Sequence, residues 1–399
     1  MQKDKLVPDV RFKGFEEEWK TNRLCEVALK FDNLRIPVSE SLRIKGPYPY
    51  YGANGVQDYV SGFTHNGEFV LIAEDGANDL DSYPSNYVNG KFWANNHVHV
   101  LQGFKDTLDN KFLNYSFTNV SFKPLLTGGD RAKLTAGALD TINIKVPIFN
   151  EQRKIGSLLN NIDQLLLSQK SKLEKLQIIK QSLLNKMFAS DNQKMPEIRF
   201  QGFKNNWNNK EIGSFGDWLA GTSLENQFCT SGTHKVVNIG SFGPDFKYND
   251  QGLHINLNNE NKRFLLDKDD LVMILNDKTL EGRIIGSVLL IDKDNTYLYN
   301  QRIQRLSINK AQYDSNYLFF LINNMRNHDI LYKKSQGNTQ IYLNWSVVSK
   351  INFLVSEQLD EQQKIGQFFS SLDSLIHSQE QKLEKLNNIK QALLEKMFC

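Results

Sequence analysis

A chain of 399 residues with 40% hydrophobic and 23% charged residues has the material of a soluble globular protein with about two to three domains. Its formal charge of +3 announces no strong electrostatic footprint, but leaves nucleic acid open because the distribution of charge matters more than its sum. Cys25, Cys229 and Cys399 are far apart and form no CxxC spacing, which points away from a zinc site or a disulfide framework. No apolar run reaches the ~18 residues of a membrane span and the start, MQKDKLVPDVRF, lacks signal-peptide character, so the chain reads as cytoplasmic with no membrane partner.

The first element in chain order is Pro8-Asp9-Val10-Arg11-Phe12-Lys13-Gly14-Phe15, followed by Trp19. It returns as Pro196-Glu197-Ile198-Arg199-Phe200-Gln201-Gly202-Phe203, followed by Trp207. Such a short Pro/Gly/aromatic run reads as a docking tag or a strand entry rather than a site. Behind each tag lies a globular segment, roughly 20–150 and 208–360, and the two share a skeleton. Residues 69–73 and 271–275 read as buried strands; 96–101 and 301–306 alternate as half-buried strands. Helical stretches follow at 110–117 and 315–323, then Gly turns at 128–135 and 337–344, then short strands at 142–146 and 351–355.

Each segment leads into a long helix. In residues 151–188 the apolar positions step through Ile155, Leu159, Ile162, Leu166, Leu173, Leu176, Leu183 and Met187, with Gln169 and Lys180 in the gaps. That four-and-three alternation is a seam for another helix. A second row, Leu158, Leu165 and Ile179, widens the stripe beyond a two-stranded zipper. Residues 361–398 repeat the pattern, residue i matching residue i+210: Ile365, Phe369, Leu372, Ile376, Leu383, Leu386, Leu393 and Met397, with Gln379 and Lys390 in the same polar slots. Polar seam residues fix register at some cost in stability, so two helices packing on each other is the economical reading, against two independent amphipathic surface helices. The expected architecture is a tandem of two α+β units: residues 1–150, a helix over 151–189, a second unit over 190–360, and a helix over 361–399.

Several loops suit nucleic acid. In the first segment Tyr48, Tyr50, Tyr51 and Asn54 are aromatic and amide-rich, and Arg131, Lys133 and Thr135 follow a Gly-Gly turn. In the second, Arg302, Gln304 and Arg305 lie on a strand, Lys333-Lys334-Ser335 precedes a Gly-Asn turn, and Thr339, Gln340 and Asn344 follow it. Arg reads guanine and Asn or Gln reads adenine, while Lys and Ser hold phosphates. Taken singly each residue reads better as a solvated surface group; their clustering at a corresponding Gly turn in both segments is the signal. No GxxxxGK[ST] loop occurs, nor an Asn-Pro-Pro or Asp-Pro-Pro tetrapeptide, and the seven histidines show no metal spacing. His97 and His99 alternate on a strand face and read as structural or base-contacting. Glu74-Asp75 with Asp79 and Asp81 reads as a solvated acidic loop. Two other classes stay open: a coiled-coil adaptor holding two protein ligands without DNA, and a nuclease using Asp/Glu and Lys.

With two variable domains alternating with two near-identical helices that begin Glu-Gln-x-x-Ile-Gly, the chain resembles the specificity subunit of type I restriction–modification enzymes. Tyr51-Gly52-Ala53-Asn54-Gly55, Ala73-Glu74-Asp75-Gly76-Ala77 and Gly90-Lys91-Phe92-Trp93 carry the same resemblance. It implies two target-recognition domains, each reading half of a split duplex DNA sequence, joined by antiparallel coiled-coil helices with pseudo-two-fold symmetry. It implies partners: double-stranded DNA, two methyltransferase subunits docked on the helices and, in a cleaving complex, restriction subunits. It also implies no catalytic residue, cofactor or metal in this chain. S-adenosylmethionine, ATP and Mg would belong to the partner subunits, which methylate adenine and drive cleavage.

Overall fold

The computed structural model describes residues 6–128, 132–190, 193–243, 245–278 and 281–399. The chain forms two compact units, one of Met1–Ser171 with Glu380–Cys399, the other of Lys172–Gln379. The division falls within both long helices, Phe149–Met187 and Leu359–Lys396, so each unit owns a part of each.

In the first unit Ile155 and Leu159 pack with Met397 and Phe398 in the core, and Asp163 meets Lys390 at 2.6 Å. In the second, Ile365 and Phe369 pack with Met187 and Phe188, and Lys180 meets Asp373 at 2.5 Å. Numbers rise along one helix as they fall along the other, so the pairing is antiparallel in both. Along the seam Ile162, Leu166, Leu173, Leu176, Leu183, Leu372, Leu383, Leu386 and Leu393 are half-buried, and Ile376 is buried. The lysines of the two polar slots are explained by these ion pairs. A lysine in an apolar seam is tolerated where a carboxylate of the partner helix meets it, which only the correct register provides. The wider row behaves differently from expectation. Leu158 packs on the first core, but Leu165 and Ile179 are 43% and 49% exposed, as are the equivalent Leu375 and Ile389 at 47% and 42%. A pair of helices covers only the central stripe of each, and these positions lie outside it.

The Glu-Gln-x-x-Ile-Gly motif is architectural. Glu151 is fully buried and receives Arg11 Nε at 2.7 Å and Nη2 at 2.8 Å; Glu361 receives Arg199 at 2.5 and 2.8 Å. Gln152 accepts from Asp109 N and donates to the Thr107 and Pro147 carbonyls. Gln362 does the same with Asp314 N, Gln312 O and Ser356 O. Gly156 and Gly366 let the long helix approach the start of a short one: an added Cβ would lie 2.7 Å from Phe112 N or 2.8 Å from Tyr317 N. The repeated tags dock at the helix ends. Val10 N donates to Lys396 O and Ile198 N to Lys186 O, each at 2.9 Å, giving partners to carbonyls that a helix C-terminus leaves free. Trp19 and Trp207 anchor the tags, both 1% exposed.

Both units share a four-stranded antiparallel sheet. In the first its order is Ala28–Lys30, Val98–Gly103, His65–Ala73, Ser85–Ala94; in the second, Gly216–Ala220, Ile303–Ile308, Leu271–Ile274, Val288–Leu290. The central strands are covered on both faces, which explains their unbroken apolar runs. Val70 and Ile72 face one core while Phe69 and Leu71 face another, and Leu271 and Met273 are likewise opposed to Val272 and Ile274. A short helix follows in each unit, Asn110–Ser116 capped by Asp109 and Ser315–Ile322 capped by Asp314. An antiparallel ribbon, Lys20–Arg23 with Asn143–Val146 or Asn208–Glu211 with Asn352–Val355, leads into the long helix. The additions differ. The first unit extends its sheet with the hairpin Lys45–Gly52 and Gly55–Val60, whereas the second builds a separate four-stranded sheet from Phe228–Cys229, His254–Ile255, His234–Val237 and Tyr297–Tyr299.

Candidate nucleic-acid interface

In each unit three segments meet at the end of the central strand. In the first, Glu74 N donates to His97 O at 2.9 Å and Leu134 N to Glu74 O at 2.7 Å. In the second, Leu275 N donates to Arg302 O and Leu343 N to Leu275 O, both at 2.9 Å. The backbone junction is the same, so His97 stands where Arg302 stands, Lys133 where Tyr342 does, and Thr135 where Asn344 does. The frame repeats and the chemistry it displays does not.

Around the first junction the hairpin turn carrying Asn54 closes through Gly55, whose φ of +101° needs a glycine. Asn54 is exposed, yet its side chain donates to Gly76 O and accepts from Asn78 N, both at 2.9 Å, joining that turn to the loop after Glu74. Lys133 is exposed with Nζ 2.8 Å from Glu74. Thr135 caps the helix Ala136–Asp140 by accepting from Ala138 N. Tyr51 is half-buried edge-on to Phe92, and burial raises its hydroxyl above the ordinary value. Tyr50 is a correction. It is 1% exposed, its hydroxyl bonded to the Val38 backbone and its ring stacked with Trp93, so it is a core aromatic with no atom offered to a ligand. Arg131 lies outside the described residues.

Around the second junction Arg302 is exposed at φ +67° in a turn. The same strand encloses Gln304 completely, because alternate residues point into the core once the turn is passed; as a base reader it is also corrected. Lys333 and Lys334 are exposed at the end of the helix Met325–Tyr332. Thr339 and Gln340 are exposed in the turn that closes at Gly337, where a Cβ would sit 2.0 Å from Gln340 O. Asn344 is exposed at the start of Trp345–Val348, its side chain making no capping bond.

The supporting residues escaped sequence reasoning. Glu74 is not a solvated acid: Arg35 Nη1 lies 2.5 Å from it. Burial pushes its carboxyl up, and the hydrogen bonds from Lys133 and Arg35 outweigh that and hold it below the ordinary value. Asp32 behaves alike, burial opposed by His99, the Val100 amide and Arg35. Asp32, Glu74 and His99 bring their ligand atoms within 4.8 Å of one another, but the Arg35 guanidinium already fills the place of a cation there, so the set does not fit a divalent ion. In the second unit Glu225 accepts from Asn300 and Gln301, the residues before Arg302. The Ser223, Asn300 and Gln301 hydrogen bonds pull its carboxyl down to about 2. The fold, not spacing along the chain, brings Glu225 to Asn300.

The family model for the type I restriction modification DNA specificity domain matches residues 16–177 and 204–388. The chain belongs to this family. It is 35% identical over 323 residues to the type I restriction enzyme specificity subunit S.HindORF215P of Haemophilus influenzae, covering 80% of this chain and 79% of that one. With the MjaVIII specificity subunit of Methanocaldococcus jannaschii it shares 22% identity over 95% of this chain and 91% of that one. The fold matches the crystal structure of the type I restriction–modification S subunit from M. genitalium with a TM-score of 0.71 at 15% identity, over 98% and 99% of the two chains. Specificity subunits are non-catalytic, and their general role is recognition of DNA sequence within a complex of DNA and other subunits. Among the described residues of this specificity subunit no helix is long and apolar enough to cross a membrane.

Proposed function

We propose that each globular domain reads one half of a bipartite duplex target through its three-segment junction, and that the paired helices set the gap between the halves. The observation that carries this reading is the repeated junction with exchanged side chains: His97, Lys133 and Thr135 against Arg302, Tyr342 and Asn344. Lys133, Lys333 and Lys334 are suited to phosphate contacts that fix position, and Arg302, Gln340 and Asn344 to base edges. The exposed Leu165, Ile179, Leu375 and Ile389 occupy equivalent places on the two helices and suit two copies of a methyltransferase subunit docked alike. S-adenosylmethionine, and ATP with Mg where cleavage occurs, would be held by those partners, restriction subunits included. A cytoplasmic location accords with that work.

Mapping methylated adenines in DNA exposed to this chain with its methyltransferase tests the proposal. A split sequence of two unlike halves is expected. A contiguous or palindromic site would overturn it. A coiled-coil adaptor without DNA contact would instead show no duplex binding that falls steeply with salt.

A further inference from the structure

We infer that His99 is held as a doubly protonated imidazolium and is the positioning residue for the strand Lys133–Leu134 at the junction of the first domain. This rests on the reading of the junction as a DNA-contacting surface. His99 is 1% exposed. Its Nδ1 lies 2.6 Å from Asp32 Oδ2 and its Nε2 2.8 Å from the Leu134 carbonyl. A carbonyl only accepts. Asp32 accepts as well: burial pushes its carboxyl up, but hydrogen bonds and the Arg35 guanidinium hold it below the ordinary value and ionised, its other oxygen taking the Val100 amide at 2.8 Å. Both ring nitrogens therefore donate, and only the imidazolium has two N–H groups. A neutral ring would aim a lone pair at one of the two acceptors in a closed site, where unmatched polar groups are costly.

The surrounding charges agree. Asp32 and Glu74 face the ring, Glu74 at 3.8 Å. Arg35 lies between them, 2.5 Å from Glu74 and 3.6 Å from Asp32. Lys133 approaches Glu74 from outside with its side chain 46% exposed, and His97 pairs with Asp75 beside it. Arg35 and Lys133 both bond Glu74, whereas Arg35 stands 3.6 Å from Asp32, so the imidazolium is the hydrogen-bonded cation of Asp32.

The mechanical consequence falls on Leu134. Its amide holds Glu74 and its carbonyl holds His99, so the ring fixes the strand on which Lys133 precedes and Thr135 follows. The second domain supplies an internal control. By the matching of His97 with Arg302, the place of His99 is taken there by Gln304, which carries no titratable proton.

The full chain labelled with 15N-histidine tests the protonation. At pH 7 both His99 ring nitrogens should show the shift of a protonated imidazolium, with the signal assigned by its loss in His99→Gln. A neutral tautomer would overturn the inference. Hydrogen exchange, corrected for the intrinsic rate, tests the positioning from about pH 6 to about pH 9. Protection of the paired strands Leu126–Thr127 and Lys133–Leu134 should fall by about tenfold or more once the ring loses its proton, as expected for one charge-assisted bond, while that of 336–343 should not follow. In Asp32→Asn the new amide can donate to Nδ1, so a neutral ring keeps its bond to Leu134; the pH dependence should vanish with protection retained. A pH dependence unchanged by Asp32→Asn, or shared by the equivalent segment 336–343, would refute the positioning role. These readouts need no DNA, so failure of duplex binding would sink the reading of the junction and leave the state of His99 decided.

Discussion

Glu361→Gln should loosen the second unit more than Glu151→Gln loosens the first, although the two glutamates occupy the same place in the repeat. Glu361 is fully buried and accepts two bonds from Arg199, one from Trp207 Nε1 at 3.1 Å and one from the Ser356 hydroxyl. Breaking a buried pair costs about 3–5 kcal/mol because a charge is left behind. Arg199 keeps 10% of its side chain exposed, so water reaches it and the lower figure, about 3 kcal/mol, applies to the pair. Trp207 and Ser356 both donate to Oε2, and with the carboxylate gone these bonds lose their charge assistance, adding about 1 kcal/mol. Glu151 is bonded to Arg11, whereas Trp19 Nε1 has no partner among the described residues, so the second contribution is missing and about 3 kcal/mol is expected. Native-state hydrogen exchange at the Ile198 and Trp207 amides for one variant, and at Val10 and Trp19 for the other, reads each docked tag separately. A loss under about 1 kcal/mol in Glu361→Gln, or a larger loss in Glu151→Gln, would refute the assignment of these pairs as the tag anchors.

The helix register rests on reciprocal ion pairs. Lys180→Asp alone should destabilise the second unit by about 1–3 kcal/mol in urea unfolding, and adding Asp373→Lys should restore more than half of it; additive losses would show the pair to be incidental. The turn that presents Arg302 should depend on acid. Glu225 has a depressed folded pKa of about 2, so its contribution is present above the ordinary carboxyl value near 4.5 and is lost as pH falls through about 2. Exchange of the Leu224 amide, which donates to Asn300 Oδ1, should quicken across that window, and in Glu225→Gln it should lose this pH dependence; a flat profile in the unaltered chain would contradict the anchoring role.

Periodicity made the long helices legible, since an apolar stripe at helical spacing has few other solutions, and duplication exposed the matching skeleton. Strands 69–73 and 271–275 were equally plain because both of their faces are buried. The site was legible only in part. Lys133 follows the Gly128-Gly129 pair and Arg302 stands in the turn before its strand, where polar residues face outward. Tyr50 and Gln304 were misplaced because one step along a strand reverses a side chain, and the start of the alternation depends on register that tertiary pairing sets. Glu74 looked like a surface acid and His99 like a strand histidine, and Asp32 carried no signal. Their meaning comes from Arg35 and Leu134, which only folding brings beside them.

Inserting one heptad in both helices at matched places, after Ser168 and after Ser378, and mapping the methylated adenines is the most direct test of the spacing claim. Seven residues add about 10.5 Å to the pair, or about three base pairs of duplex, so the gap should lengthen by that amount with both half-sites unchanged. An unaltered gap, or a changed half-site, would contradict the claim that the helices alone hold the reading heads apart.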